Sequence, residues 1–210
     1  MTAMQKYLFI LFVSIFSTNT LLAESLLFPA LYNVKDVALD DVLNVRQGAG
    51  ASHPVIETLD PNQRDIEIIQ LSTDGKWGLI GYPAGSGWAA MRYLSRQPGQ
   101  EGTELPRPMS CGGNEPFWGL EFSLRGNDFN EPGELPHILP TVWEGIPDGM
   151  PPISYGVKMA RDNAEINAII TRSQCSDGMS EKEYGFEINA ILSGALGNRM
   201  LTGCCSLGQP

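Results

Sequence analysis

Two carboxylates open the chemical reading of the chain. Glu115 lies in Asn114-Glu115-Pro116 and Asp177 in Ser176-Asp177-Gly178. Two carboxyl groups flanking one bond are what a glycoside hydrolase uses, one as acid and the other as base or nucleophile. The same residue types also build turns. Pro116 pushes the residue before it into an extended conformation, and Ser-Asp-Gly forms a side-chain-capped turn with glycine in the left-handed region. Turn chemistry accounts for both segments and is the stronger reading. The other catalytic sets are missing. His53 and His137 each adjoin a proline in loop-like sequence, and no G-x-S-x-G, H-E-x-x-H or phosphate-cradling loop occurs. Asp128, Asn130 and Gly133 match three positions of a calcium loop, but Pro132 and Leu139 occupy two others that must ligate, so the match fails. The expectation is a protein without cofactor or metal, and not an enzyme.

Four cysteines remain, Cys111, Cys175, Cys204 and Cys205. They contain no C-x-x-C pair and have no histidine nearby, which argues against zinc. A bond between the adjacent Cys204 and Cys205 would be strained. Pairing each with Cys111 or Cys175 is the better reading, with a free thiol in the adjacent pair as the alternative. In a strand the two neighbours point to opposite faces, so two bonds would clamp opposite sides of a sheet.

The clearest binding chemistry is in Val42–Leu59. Asn44 and Arg46 alternate with Leu43 and Val45 and should face away from a core. Arg46 can hold a carboxylate through two parallel hydrogen bonds. The competing and commoner fate is a bridge between strands or an ion pair with Asp40 or Asp41. Gly48 and Gly50 permit positive φ and a close backbone approach in the loop that follows. Downstream, Trp77, Trp88 and Tyr93 are either packing or ligand platforms, and large aromatics are mostly buried.

The elements that must position these residues read as strands. Glu24–Leu39 is a leader strand or extended arm. Asp40–Leu94 holds short apolar runs punctuated by Pro61-Asn62, Thr73-Asp74-Gly75 and Pro83–Gly87. Ile66 and Ile68 alternate with Asp65 and Glu67 as in a half-buried strand. Met91–Leu94 is a closing turn. Ser95–Met109 is rich in Pro and Gly and reads as a linker. Beyond it, Phe117–Leu124, Tyr155–Ala160, Ala164–Ile170, Tyr184–Leu192 and Arg199–Thr202 read as strands. Gly126–Pro152 is Pro-rich and loop-like, with Trp143 and Ile146 as anchors. No segment keeps a helical period.

The chain has 210 residues, 14 basic and 24 acidic, and a net charge of −10. That balance repels polyanions, so nucleic acid is not an expected partner. Lys6, the apolar run Leu8–Phe16 and Leu21-Leu22-Ala23 form a signal-peptide pattern too short to span a bilayer. Export after cleavage at Ala23 places the cysteines in an oxidising compartment, periplasmic or secreted, with no membrane association after signal cleavage.

Two resemblances add to this. Asp40–Leu94 resembles the bacterial SH3-type domain of cell-envelope proteins, through Leu43-Asn44-Val45-Arg46, Gly48, Gly50, Pro54-Val55-Ile56, Trp77-Gly78, Gly87-Trp88 and Tyr93-Leu94. Gln47 and Ala49 depart from the Ser and Pro common in that family. The resemblance implies a small antiparallel barrel that binds peptides or peptidoglycan without catalysis. Ser110–Cys205 resembles a second family of bacterial envelope proteins, through Cys111–Trp118, Cys175–Ser180 and Gly203-Cys204. That resemblance implies export and a β architecture, and no reaction.

The expectation is therefore an all-β protein: signal peptide 1–23, a small SH3-like barrel in 24–94, a linker in 95–109, and an antiparallel β-barrel or sandwich in 110–210. It is read as a non-catalytic envelope protein whose partner is cell-wall peptide or an envelope protein. The binding residues expected are Asn44, Arg46, Gly48, Gly50, Trp77, Trp88 and Tyr93. The alternatives are a wall-modifying hydrolase using Glu115 and Asp177, or an inhibitor that plugs another protein's cleft with Glu131–Pro152.

Overall fold

A computed structural model describes residues 27–208. The signal-peptide reading of residues 1–23 lies outside them. The first strand, β1 (Ala30–Val34), is followed by β2 (Leu43–Arg46), β3 (Val55–Leu59), β4 (Ile66–Ile68), β5 (Gln70–Leu71), β6 (Trp77–Tyr82) and β7 (Gly85–Ala90). A single 3-10 turn, Met91–Tyr93, leads into β8 (Leu94–Arg96). These strands form two antiparallel sheets, β3-β2-β7-β6-β5 and β4-β1-β8. Leu43, Val45, Ile66, Ile68, Ile80 and Ala89 fill the space between them. Period-two patterning sets the faces. Leu43 and Val45 are buried while Asn44 and Arg46 are half-exposed, and Glu67, half-buried, points away from this core between buried Ile66 and Ile68.

The second set of strands is β9 (Met109–Asn114), β10 (Phe117–Ser123), β11 (Gly126–Asn130), β12 (His137–Leu139), β13 (Thr141–Gly145), β14 (Ser154–Arg161), β15 (Ala164–Ser176), β16 (Glu183–Gly194) and β17 (Arg199–Leu207). All pairings are antiparallel, in the order β12-β11-β10-β9-β17-β16-β15-β14-β13. The two end strands are consecutive in the chain, separated by Pro140 alone. The Pro140 link keeps the two ends of the sheet together, so it curls into a nearly closed barrel rather than a sandwich, and the Ala160 N–H extends the β13–β14 ladder to the Pro140 carbonyl at 3.2 Å. Inward residues alternate cleanly along β14, β15 and β16. Phe122, Phe129, Tyr155, Met159, Phe186 and their neighbours fill the interior, as a barrel of this size allows. Asn127 is wholly buried at the closure. Its amide donates to the Leu139 carbonyl and the Thr141 hydroxyl, at 2.9 and 3.0 Å, on either side of Pro140.

Two segments differ from the sequence reading. Gly126–Pro152, read as loop, contains β11, β12 and β13. Its prolines fall at strand ends, where a missing N–H costs no ladder bond. Ile146 packs against the barrel core as expected of an anchor, but Trp143 is 58% exposed. Ser95–Met109, read as linker, begins with the end of β8 and ends with the start of β9. Leu105 is buried in the barrel core, and the Gln100 amide exchanges hydrogen bonds with the Leu31 backbone at 2.6 and 2.9 Å.

The leader arm joins the two cores. Ala30, Tyr32 and Val34 face the first, and Leu31, on the opposite face of β1, joins the barrel core. Polar bonds reinforce the junction. Arg172 donates to the Pro29 carbonyl at 2.6 Å, the Glu183 N–H to the Ser86 hydroxyl at 2.7 Å, and the Leu207 N–H to the Glu67 carboxyl at 2.9 Å. Gly185 is required there: a Cβ on it would come within 1.9 Å of the Pro29 ring.

Candidate functional site

A groove of about 1110 Å³ lies on the first unit between the segment after β1, the start of β2, the β5–β6 turn and the 3-10 turn. Its position follows from local sequence. β2 presents Asn44 and Arg46 on its outer side. The β5–β6 turn is held by Asp74, whose carboxyl accepts from the Ser72 hydroxyl at 2.7 Å and the Lys76 N–H at 3.1 Å. These bonds, the Ser72 bond foremost, hold Asp74 below the usual carboxylate range and keep it ionised. The turn thereby delivers Lys76 and Trp77 to the groove. The 3-10 turn delivers Arg92 and Tyr93, with the guanidinium 4.7 Å from the ring centroid. Arg46, Lys76 and Arg92 thus border one groove together with Trp77 and Tyr93, and Asp36, Asp41 and Asp74 share its lining.

Of the residues singled out in the sequence, Asn44, Arg46, Gly50, Trp77 and Tyr93 line this groove. Gly48 and Trp88 do not. Gly48 lies under the His53 ring, where a Cβ would approach to 2.7 Å. Neither Gly48 nor Gly50 has positive φ, so close approach of the ring, and not left-handed backbone, is what calls for glycine. Trp88 sits across the sheet from Arg46 and Leu79. Arg46 makes neither of the ion pairs considered for it; one guanidinium nitrogen donates to the His53 carbonyl at 2.7 Å and steadies the loop. Lys76 and Arg92 were missed. Both lie in turns, where a basic residue carries no pattern that distinguishes it from solvated surface.

The second unit brings its three motifs together on the outer side of the barrel. Asn114, from the first, donates to the Asp177 carbonyl at 3.1 Å. Cys111 bonds Cys205, its direct partner across β9 and β17, and Cys175 bonds Cys204. The adjacent cysteines do point to opposite faces: Cys205 belongs to the barrel core, and Cys204 lines the outer clefts. Among the described residues no cysteine is free. Glu115 and Asp177 line one outer cleft of about 440 Å³. Asp177 is engaged by its own loop. It accepts from the Ser180 and Met179 N–H groups at 2.8 and 2.9 Å and from the Tyr184 hydroxyl at 3.2 Å. The Ser180 N–H bond above all holds its carboxyl below the usual range. An ionised turn cap with its oxygens occupied is poorly suited to donate or abstract a proton.

The architecture is thus that of an all-β protein with a small binding-type barrel ahead of a larger, filled one. Residues 41–95 match the bacterial SH3 domain family, so the groove lies on a bacterial SH3 domain. No curated protein and no solved structure matches the chain.

Proposed function

We propose that this is a non-catalytic protein of the bacterial envelope, divided as the sequence suggests into a signal peptide (1–23), an SH3-type domain (24–94), a packed connecting segment (95–109) and a second envelope domain of the family resembled by Ser110–Cys205. In this reading the protein is periplasmic or secreted, and its SH3 groove binds cell-wall peptide. The reading rests on one observation above the rest. In a chain of net charge −10, Arg46, Lys76 and Arg92 border a groove with Trp77 and Tyr93 in it, beside Asp36, Asp41 and Asp74; the Lys76 ammonium lies 3.6 Å from Asp74, and the two guanidinium groups are the ones offered to a ligand carboxylate. Wall stem peptides are short, extended and end in carboxylates. Arginine receives a carboxylate through paired hydrogen bonds, and the two aromatic rings supply apolar contact at small entropic cost. The two disulfides are in keeping with an oxidising compartment.

Co-sedimentation with purified wall sacculi tests the reading. Wild-type protein is expected in the pellet at low salt. K76E/R92E, which changes two exposed side chains, is expected in the supernatant, with apparent affinity lower by about tenfold or more. Wild-type protein recovered wholly in the supernatant contradicts wall binding, and equal pelleting of the variant contradicts the groove as its site.

A further inference from the structure

The two disulfides sit in opposite surroundings. Cys111 and Cys205 are both buried in the barrel core. Cys175 and Cys204 lie on the outer side, where both line an open cleft of about 440 Å³. Cys204 is nearly covered, but Cys175 is only half-buried. Exchange of a disulfide requires that a thiolate reach one of its sulfurs. The cleft gives a way to Cys175, whereas the other bond is sealed among packed side chains. Glu115, Asp177 and Glu187 share the cleft, so an uncharged thiol enters it more readily than an anionic one.

The outer bond also holds a segment that reaches the SH3 domain. β15 shifts register between Arg172 and Cys175, and past the shift only the Cys175–Tyr184 and Ser176–Glu183 pairs join it to β16. The disulfide pins this end of β15 to β17. The tip that follows packs on the β6–β7 turn. The Glu183 N–H donates to the Ser86 hydroxyl at 2.7 Å. A Cβ on Gly81 would come within 2.7 Å of the Glu183 carbonyl, and one on Gly85 would stand 3.5 Å from the Glu181 side chain. Residues 181–183 thus brace one turn of the SH3 domain, a short way along the chain from Cys175.

We propose that Cys175–Cys204 is a thiol–disulfide exchange site for a dithiol oxidoreductase, and that opening it releases the brace between the two units. A thiolate of the dithiol attacks the Cys175 sulfur; the new S–S bond forms as the Cys175–Cys204 bond breaks, and Cys204 leaves as a thiolate. The second thiol of the dithiol, deprotonated, then attacks its partner sulfur in the mixed disulfide and expels Cys175. The dithiol gives up two electrons and two protons and becomes a disulfide, and the two cysteines take them up as thiols. Cys111–Cys205 stays closed, so the barrel keeps its core while the end of β15 and the tip lose their tie. This site is separate from the SH3 groove and does not depend on what the groove binds.

Treatment of the full protein with dithiothreitol, an uncharged dithiol, under native conditions tests this. Free thiols are trapped by alkylation at intervals and located by mass spectrometry. Cys175 and Cys204 are expected to be alkylated at least about tenfold faster than Cys111 and Cys205. Amide hydrogen exchange of the species with one bond open is expected to rise at residues 175–183 and 81–86 and to stay unchanged in β2 and β4. C175A/C204A is expected to show the same exchange pattern without reductant. Equal rates for the two pairs, or earlier opening of Cys111–Cys205, overturns the exchange site. Unchanged exchange at 81–86 in both the reduced species and the variant overturns the release of the brace.

Discussion

Removing the Cys111–Cys205 bond is expected to be the most damaging pairwise change in the second unit. The two residues are 94 positions apart and join the first and last strands of this unit in sequence, which pair in the middle of its sheet. In the chain-entropy model a loop of that length is worth about 4 to 5 kcal/mol, and the 29-residue loop of Cys175–Cys204 about 3 to 4 kcal/mol. A domain of this size is stable by roughly 5–15 kcal/mol, so C111A/C205A approaches the edge of folding. C175A/C204A is expected to lose less, since its bond lies on the outside and ties the end of β15 to β17, two strands that both already pair with β16. Urea denaturation of the two double variants checks the order. A loss for C175A/C204A equal to or greater than that for C111A/C205A would mean that the β9–β17 pairing does not depend on its covalent tie.

Substituting Glu67 with glutamine is expected to change how stability depends on pH. The residue as a whole is half-buried, but its carboxyl is enclosed at the junction between Gly185 and the last strand. Burial pushes it up to about 8 from an ordinary 4.5, against the opposing pull of the Leu207 N–H, Lys182 and Arg172. Its folded value is therefore above its unfolded one. The folded chain binds more protons between those values, so this group's contribution is full below about pH 4.5 and is lost as pH rises toward 8. Glutamine keeps the acceptor for Leu207 and has no proton to lose. E67Q is expected to match wild type at pH 4.5 and to exceed it at pH 8 by about 1–2 kcal/mol, a discounted figure because the residue keeps some surface. Thermal unfolding across that range reads the difference, in which the carboxylates held low, Asp74 and Asp177, cancel. Parallel curves for the two proteins would show that Glu67 is ionised throughout.

The parts of the fold that depend on local pattern were legible. Strict alternation in β2, β4 and β10 set which residues face a core, and the adjacency of Cys204 and Cys205 was enough to place them on opposite faces. Five of the seven residues singled out for binding, Asn44, Arg46, Gly50, Trp77 and Tyr93, line the groove. What local pattern does not carry is partnership across the chain. β12 is three residues long and flanked by Pro136 and Pro140, and it exists because β11 pairs with it. Leu105 sits among prolines, yet a barrel core 100 residues long in sequence closes over it. Lys76 and Arg92 meet only because two turns on different strands face the same groove.

Binding of a peptide with a free carboxylate is the role proposed for the SH3 groove. Its most direct test is an NMR titration of the full protein with a soluble wall stem peptide, alongside the same peptide amidated at its C-terminus. The expected result is shift changes confined to residues 41–50, 74–77 and 91–93, including the Trp77 indole N–H, and greatly reduced with the amide. Shifts that leave these residues untouched, or a response identical for acid and amide, would contradict it.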